Sequence, residues 1–318
     1  MSGGTQTAGP VVVLAVTWNS AAVIPDFLAS LPAGMDGLDW RLVVADNDSA
    51  DGTVALLRSL APDATVVQTG RNAGYAAGVN AALDAAQREG GFRAAVVCNP
   101  DIRMRPGCAR LMVDALGAAE PDGTRVGISV PLLYEGEERT LIHSLRRESS
   151  VTRALGEAVL GNRRAGRFRH WSELVTDPVA YAGRTRADWA TGALMALSRE
   201  CLDACGRWDE SYFLYSEETE YCLRARDRGY VTRLQPEAGA DHLGGESRVS
   251  PRLWTLLTLN RVRLYRRRNG AAATAAFWAA VLLRESSRAV LGKAPSRAAA
   301  AALLSPARLR ETPGPTPG

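Results

Sequence analysis

Short apolar runs alternate with amphipathic helical segments through the first hundred residues of the chain. The apolar runs cover residues 11–16, 41–45, 65–68 and 93–98. Their length and β-branched content are typical of strands buried on both faces of a parallel sheet. Strands that alternate with helices predict an α/β fold with a doubly wound, mainly parallel sheet.

The fourth run ends abruptly at Asn99-Pro100-Asp101. Proline cannot donate to a central ladder, so the strand must stop there and leave a carboxylate at its C-terminal end. On its own this tripeptide is more typical of an ordinary turn. Polar clusters also follow the first three strands, at 17–20, 46–53 and 70–80. Because ligands bind at the carboxyl edge of open α/β sheets, these clusters together predict a binding site.

Motifs and charge exclude several classes of protein. The chain has no G-x-G-x-x-G after its first strand and no G-x-x-x-x-G-K-[ST], which argues against dinucleotide-binding and P-loop proteins. The net charge of +4 is mild, but arginines concentrate in 139–169 and 252–268. This distribution favours an anionic partner, such as a phosphorylated lipid or a membrane surface, over nucleic acid.

The remaining composition indicates a cytoplasmic protein. Five cysteines without paired metal spacing predict buried free thiols in a reducing compartment. Residues 1–10, expected to be disordered, lack the architecture of a secretory signal. No apolar stretch reaches the roughly 18 residues needed to span a bilayer.

The chain divides into a main domain and a helical extension. Residues 11–250 form the predicted main domain, with an Arg-, Gly- and Ser-rich insertion at 134–187. Residues 251–293 read as two basic amphipathic helices, which pack on the main domain by default and contact a membrane only if their aromatic face is exposed. Residues 294–318 form a low-complexity tail, whose last eight residues are expected to be disordered.

Seven segments in order resemble the inverting glycosyltransferases of family 2, which have the GT-A fold. They are Val-Thr-Trp-Asn-Ser (16–20), Asp-Asn-Asp-Ser-Ala-Asp-Gly-Thr (46–53), Arg-Asn-Ala-Gly-Tyr-Ala-Ala-Gly-Val-Asn (71–80), Asn-Pro-Asp (99–101), Trp-Ala-Thr-Gly-Ala (189–193), the acidic stretch 208–220 and His242. The resemblance covers residues 11–250.

The resemblance implies a nucleotide-sugar donor bound at the sheet edge. The donor-binding residues that it implies are Thr17, Asn19, Asp46, Arg71, Asn72, Gly74 and Asn99. Asp46 would accept the imide N–H of a uracil or thymine, although a turn carboxylate is the simpler explanation. Gly74 and Gly78 would let the backbone approach the nucleotide closely.

The resemblance also implies a divalent cation, Mg²⁺ or Mn²⁺. Asp101 would hold the ion against the donor diphosphate, and His242 takes the place of the family's later metal-ligating histidine. The ion would neutralise the charge that builds on the leaving nucleoside diphosphate. A carboxylate with water and phosphate oxygens suits either metal.

The catalytic base is expected among the glutamates at 217–220. The family places an Asp second in a Glu-Asp-x-Asp motif, whereas this chain has Glu217-Glu218-Thr219-Glu220. The base is therefore Glu218 or Glu217, and Trp189 and Gly192 are expected to shape the acceptor side. The alternative is structural, since a helix capped by Ser216 with glutamates in its first turn is matched to its own dipole.

Finer resemblances indicate the substrates. The Gln-x-x-Arg-Trp motif of processive members is missing from the sequence, which favours transfer of a single sugar. The segment 144–147 is similar to bacterial rhamnosyltransferases acting on polyprenyl-diphosphate-linked sugars. We therefore expect transfer of L-rhamnose from dTDP-rhamnose to a lipid-linked or cell-envelope glycan at the inner face of the plasma membrane.

Three alternatives remain open from the sequence. The first is transfer from a UDP-sugar to a secondary metabolite or protein. The second is a non-catalytic scaffold that binds a nucleotide-sugar or glycan, prompted by Glu218 in place of Asp. A nucleotidyltransferase is more distant, because its glycine-rich, lysine-bearing N-terminal loop is missing from the sequence.

Overall fold

A computed structural model describes residues 9–244 and 250–311 of the chain. The strands are β1 (Val11–Thr17), β2 (Trp40–Asp46), β3 (Thr65–Gln68), β4 (Ala94–Cys98), β5 (Ile102–Met104), β6 (Arg125–Glu135), β7 (Thr140–Ile142), β8 (Leu145–Arg146), β9 (Arg186–Ala187), β10 (Trp189–Ala190), β11 (Leu194–Ser198) and β12 (Tyr230–His242). The α-helices are α1 (Ile24–Met35), α2 (Thr53–Leu60), α3 (Tyr75–Arg88), α4 (Cys108–Asp114), α5 (Val151–Leu160), α6 (Asn162–Ala165), α7 (Val179–Ala182), α8 (Arg199–Cys205), α9 (Glu217–Asp227), α10 (Pro251–Arg268), α11 (Ala271–Val290), α12 (Ala294–Leu303) and α13 (Pro306–Arg310).

The central sheet confirms the predicted α/β fold class. Its strand order is β3-β2-β1-β4-β11-β6-β12-β5. The first four strands are parallel, as the alternating pattern predicts, whereas β11 runs antiparallel to both of its neighbours. Thr17 and Asp46 are paired at the ends of β1 and β2, so the polar clusters that follow those strands meet at one edge.

Both faces of the sheet are covered. Every residue of β1 is buried, and its side chains alternate between two hydrophobic clusters. Val12 and Leu14 belong to the cluster that includes Val79 of α3, while Val11 and Val13 belong to the cluster that includes helix α1. The five cysteines are all buried free thiols, as expected.

The far end of β12 contains His242. β12 continues through His242 because residues 240–242 pair with β5. The sequence pattern does not predict this short strand. An irregularity between Gln235 and Gly239 lets β12 pass along β6 before it meets β5. Residues 245–247 lie outside the described ranges, as do residues 1–8 and 312–318.

The two helices of the extension pack on the protein with their aromatic faces inward. The ring of the fully buried Phe277 stacks on Tyr265 with centroids 4.0 Å apart, and the indole of Trp278 donates to the Leu303 carbonyl at 3.0 Å. The alanine-rich start of the tail supplies the covering helix α12, consistent with the high helix propensity of alanine. In the described ranges, no helix is long and apolar enough to cross a bilayer.

A buried ion cluster joins α10 to the insertion. Arg261 of α10 donates to Glu157 of α5 at 2.9 Å and to Glu173 at 2.5 Å, and all three side chains are at most 15% exposed. The two carboxylates raise the pKa of Arg261 against the opposing effect of its burial. The extension and the insertion are therefore packed together rather than separate appendages.

Most other arginines of α10 are also engaged within the protein. Arg267 pairs with Asp209 at 2.6 Å, and Arg268 pairs with Asp227 and Glu148 at 2.9 Å. We expected this arginine-rich helix to face an anionic partner. Much of its positive charge is instead neutralised within the protein, because neighbouring loops and helices bring acidic side chains to it.

Replacing Arg261 by Met should strongly destabilise the protein. The change leaves two buried carboxylates without their cation, which costs about 3–5 kcal/mol in comparable pairs. Chemical denaturation should show this loss in the free energy of unfolding. Arg266→Met on the exposed side of the same helix is the matched control, with a change of about 0.5 kcal/mol or less. Equal effects of the two variants would contradict the structural role of the cluster.

Candidate active site

The carboxylate of Asp46 organises the first half of the site. One of its oxygens accepts from the hydroxyls of Thr17 at 2.8 Å and Ser49 at 2.6 Å, and the other accepts from the Ser49 amide at 2.9 Å. Asp46 and Thr17 are both fully buried. The structure thus places these two predicted donor-binding residues beneath the surface, where they shape the loop above them.

Other predicted donor-binding residues lie closer to solvent. The exposed Asn19 accepts from the Ala50 amide at 2.8 Å, and Asn72 accepts from the Gly74 amide at 3.2 Å. Arg71 is exposed beside them in sequence.

Trp18, a neighbour of Asn19, was not assigned a role from the sequence. Its side chain is 58% exposed at the end of β1. Exposed aromatic rings at a ligand-binding edge are suited to stacking on a nucleobase. Its position within the motif 16–20 was the signal that could have identified it.

The glycines of the 71–80 segment make close contacts with other parts of the fold. A Cβ on Gly74 would collide with the backbone carbonyl of Phe213, and the φ of Gly74 is +94°. A Cβ on Gly78 would meet the side chain of Val16. Both positions therefore require glycine for packing within the fold, and the close approach of a nucleotide to them stays a prediction.

The second half of the site brings Asp101 and His242 together. The imidazole Nε2 lies 3.2 Å from a carboxylate oxygen of Asp101, because β5 follows Asp101 directly and pairs Ile102 with His242. A Cβ on Gly244 would collide with the same carboxylate. Asp101 and His242 are far apart in the sequence, and the pairing of β12 with β5 brings their side chains together.

These two side chains fit a divalent cation. The other oxygen of Asp101 and the side-chain oxygen of Asn99 are buried without a hydrogen-bond partner in the described ranges. No group of three His, Cys, Asp or Glu residues able to hold a metal occurs in those ranges, so Asp101 and His242 would supply only part of a coordination shell. A mixed oxygen and imidazole donor set suits Mn²⁺, with phosphate oxygens and water as the remaining ligands.

Tyr75 lies between the two halves. Its amide donates to the Phe213 carbonyl at 2.8 Å, and its hydroxyl donates to the Gly192 carbonyl at 3.3 Å. Burial raises its pKa well above the ordinary value, and the negative groups around it, Glu217 and Asp101 among them, raise it further.

Gly192, predicted to shape the acceptor side, lies against the start of α9. A Cβ on Gly192 would lie 3.0 Å from the Cβ of Glu218, so a larger residue at this position would press on this glutamate. Trp189, also predicted on this side, is half-buried and donates its indole N–H to the Arg147 carbonyl at 3.1 Å.

The three glutamates of α9 have different environments. Glu217 is 3% exposed, and one of its carboxylate oxygens is buried without a hydrogen-bond partner in the described ranges. Glu220 is paired with Arg224 at 2.7 Å. Glu218 is half-buried beside Gly192. The arrangement favours Glu218 over Glu217 as the group that takes a proton from an acceptor.

Ser216 does not cap α9 in the way that the sequence predicts. Its φ is +79° and its side chain makes no capping hydrogen bond. Phe213 and Tyr215 also have positive φ angles, of 64° and 66°. Three such non-glycine residues directly before the glutamates mark a strained segment, which persists only where the surroundings hold it.

Asn260 of α10 holds this segment. Its fully buried amide lies within hydrogen-bond distance of the carbonyls of Tyr212, Leu214 and Tyr215, at 2.9, 2.9 and 3.1 Å. Arg263 donates to the side-chain oxygen of Asn260 at 2.8 Å. The helical extension is therefore part of the structure that presents the glutamates, a role that no local sequence pattern reveals.

The chain belongs to glycosyl transferase family 2, whose sequence model matches residues 12–187. It is 27% identical over 237 residues to proteins named N-acetylglucosaminyl-diphospho-decaprenol L-rhamnosyltransferase from two strains of Mycobacterium tuberculosis. The similarity spans 72% of this chain and 75% of each relative.

Solved structures show the same fold. A mannosyltransferase of Pyrobaculum calidifontis, solved with GDP-Man and Mn²⁺, matches 95% of this chain and 83% of its own, with a TM-score of 0.52 at 18% identity. TarS of S. aureus matches 86% of this chain and 42% of its own, with a TM-score of 0.51 at 13% identity. The fold is therefore the GT-A fold, as expected.

Glu217 should make the protein less stable as the pH rises. Burial, and then the charge of Glu218, raise its pKa well above the ordinary value of 4.5. The unfolded chain therefore releases this proton at lower pH than the folded protein does, so stability falls as the pH rises above the unfolded value. Glu217→Gln carries no such proton. The free energy of unfolding of the variant relative to wild type should increase between about pH 5 and about pH 8, by at most about 1.4 kcal/mol per unit.

Glu200→Gln, which removes an exposed carboxylate from α8, is the control for that comparison. Its difference from wild type should be nearly constant with pH. A flat difference for Glu217→Gln as well would show that Glu217 is already ionised in the folded protein.

Proposed function

We propose that this protein is a metal-dependent inverting glycosyltransferase that transfers a single L-rhamnose from dTDP-rhamnose to a lipid-linked or cell-envelope glycan. The observation that carries the proposal is that the Asp101–His242 pair and the α9 glutamates lie at the same edge of a GT-A sheet. The Asn99 amide, two residues before Asp101, donates to the Ala193 carbonyl at 2.8 Å, and the adjacent Gly192 lies against Glu218. The named activity of the mycobacterial relatives supports the choice of sugar and of a lipid-linked acceptor.

The donor base would stack on Trp18 at the edge formed by β1 and β2. The buried network of Asp46, Thr17 and Ser49 keeps the loop of that edge in place. Arg71 is exposed on the same segment as Asn72 and would meet the base or a phosphate. These residues bind and orient the donor without taking part in the chemical step.

Asp101 and His242 would hold Mn²⁺ or Mg²⁺ next to the diphosphate. When bound, the metal supplies a Lewis acid that neutralises the charge on the departing nucleoside diphosphate. The unpartnered oxygens of Asp101 and Asn99 are consistent with a ligand in this place.

Glu218 would act as the general base. Its carboxylate takes the proton of the acceptor hydroxyl, whose oxygen forms a bond to the anomeric carbon as the bond from that carbon to the diphosphate oxygen breaks. One displacement from the opposite face inverts the configuration. Burial raises the pKa of Glu217, and we assign it no proton transfer, whereas Glu218 lies against Gly192.

The acceptor would place the enzyme at the cytoplasmic face of the plasma membrane. A polyprenyl-diphosphate-linked sugar stays in the bilayer, so the protein must work at its surface. We propose peripheral contact with anionic lipids there, since the described ranges contain no membrane-spanning helix.

The test is release of dTDP from dTDP-rhamnose in the presence of Mn²⁺ and a polyprenyl-diphosphate-linked N-acetylglucosamine. Glu218→Gln should lower kcat by roughly 10²–10⁴-fold, because the base is lost, while binding of dTDP measured by thermal shift persists. Asp101→Asn should lose the Mn²⁺-dependent part of that binding. Glu200→Gln should match wild type in both measurements.

A different result would contradict each part of the proposal. Unchanged turnover in Glu218→Gln would remove Glu218 as the base. A larger thermal shift with UDP than with dTDP would indicate a UDP-sugar, rather than dTDP-rhamnose, as the donor. Donor binding without turnover of any nucleotide-sugar or acceptor would indicate a non-catalytic scaffold.

A further inference from the structure

A second cavity lies outside the candidate active site, where the insertion meets the extension. It has a volume of about 440 Å³, within the range of ligand pockets, and lies between α5–α6 and the helices α10 and α11. We call it the arginine pocket. It is lined by Leu160, Gly161, Asn162, Arg163, Arg164, Trp254, Arg284 and Arg288. Four of these residues are cations and none is acidic.

Arg284 forms a rigid wall of this pocket. It is 5% exposed and is fixed by an ion pair with Glu285, by a 3.0 Å hydrogen bond to Asn162 and by the ring of Trp254, 5.6 Å from its guanidinium carbon. Its Nε is buried without a hydrogen-bond partner in the described ranges. A guanidinium held in this way is pre-organised for an oxyanion.

The other three arginines leave the pocket with excess positive charge. Glu285 neutralises Arg284, but Arg163, Arg164 and Arg288 form no ion pair with any residue of 9–244 or 250–311. The nearby acids Glu157 and Glu173 are taken by Arg261. A phosphate group would neutralise this charge and accept several guanidinium hydrogen bonds at once.

Exposed apolar side chains accompany the pocket. Leu160 on its rim is 37% exposed, and Leu155 and Val159, one turn apart on α5, are 44% and 71% exposed. Trp171, 45% exposed, lies against α5, since a Cβ on Gly156 would collide with its carbonyl. Cationic and apolar groups combined in this way are typical of surfaces that rest on an anionic bilayer.

We propose that the arginine pocket binds the phosphate of an anionic phospholipid and thereby docks the protein on a membrane surface through α5 and α6. The biological role of this docking rests on the proposed lipid-linked acceptor. Vesicle binding itself can be measured without any sugar transfer, so the two proposals can fail separately. Of the two alternatives for α10 and α11, the structure shows their packing on the protein, so the docking surface is assigned to α5 and α6 instead.

The test is co-sedimentation of the full chain with vesicles of phosphatidylcholine alone or with a third of phosphatidylglycerol. Wild type should bind only the anionic vesicles. Arg163→Gln/Arg164→Gln should weaken that binding on the order of tenfold or more, because two cations leave the pocket. Both side chains are exposed, so the fold should persist, which circular dichroism checks.

Arg58→Gln/Arg88→Gln is the matched control, since it removes the same charge from exposed positions on α2 and α3. This control should bind vesicles like wild type. An equal loss of vesicle binding in both double variants would show that only the net charge of the protein matters, which would overturn the proposal. Inorganic phosphate should compete only weakly at constant ionic strength. Absence of vesicle binding would overturn the proposal, and full displacement by phosphate would assign the pocket to a soluble anion instead. Turnover of dTDP-rhamnose with any of these outcomes would leave the proposed enzymatic function intact.

Discussion

The buried polar side chains of α10 are the constraint on which the candidate site depends. Asn260 holds the strained segment before the glutamates, and its neighbour Arg261 binds the two carboxylates of the insertion. Buried polar groups of this kind are costly unless every partner is in place, so they specify one arrangement. The helical extension therefore cannot be treated as an optional membrane anchor, because the segment that precedes the α9 glutamates is held by it.

The sheet register is the second constraint. His242 reaches Asp101 only because β12 pairs with β5 at its far end, after the irregularity that follows Gln235. Side chains of a strand alternate between faces, so a slip of one residue would turn His242 away from the carboxylate. A two-residue contact between distant segments thus depends on the whole length of β12, and the metal-binding potential of the edge depends on it as well.

Much of the fold and part of the site could be predicted from local patterns. The four parallel strands, the edge occupied by Asp101 and the burial of the cysteines all follow from apolar periodicity and from proline as a strand terminator. Local sequence patterns predicted fewer of the contacts between distant segments. The strain at Ser216, the hydrogen bonds of Asn260 and the close approach of Gly74 to Phe213 arise where separate elements pack against each other. No window of sequence contains both partners of these contacts.

The sequence by itself determined where chemistry could occur, because apolar strands must be buried and polar residues are left at their ends. It could not decide between Glu217 and Glu218, since both lie in one helical turn with the same chemistry. Only the tertiary structure separated them, by burying Glu217 and placing Glu218 against Gly192. The same holds for the arginines, whose clustering is visible in the composition. Burial and neighbouring carboxylates decided that those of α10 are largely paired, while three of the four in the arginine pocket form no ion pair within the described residues.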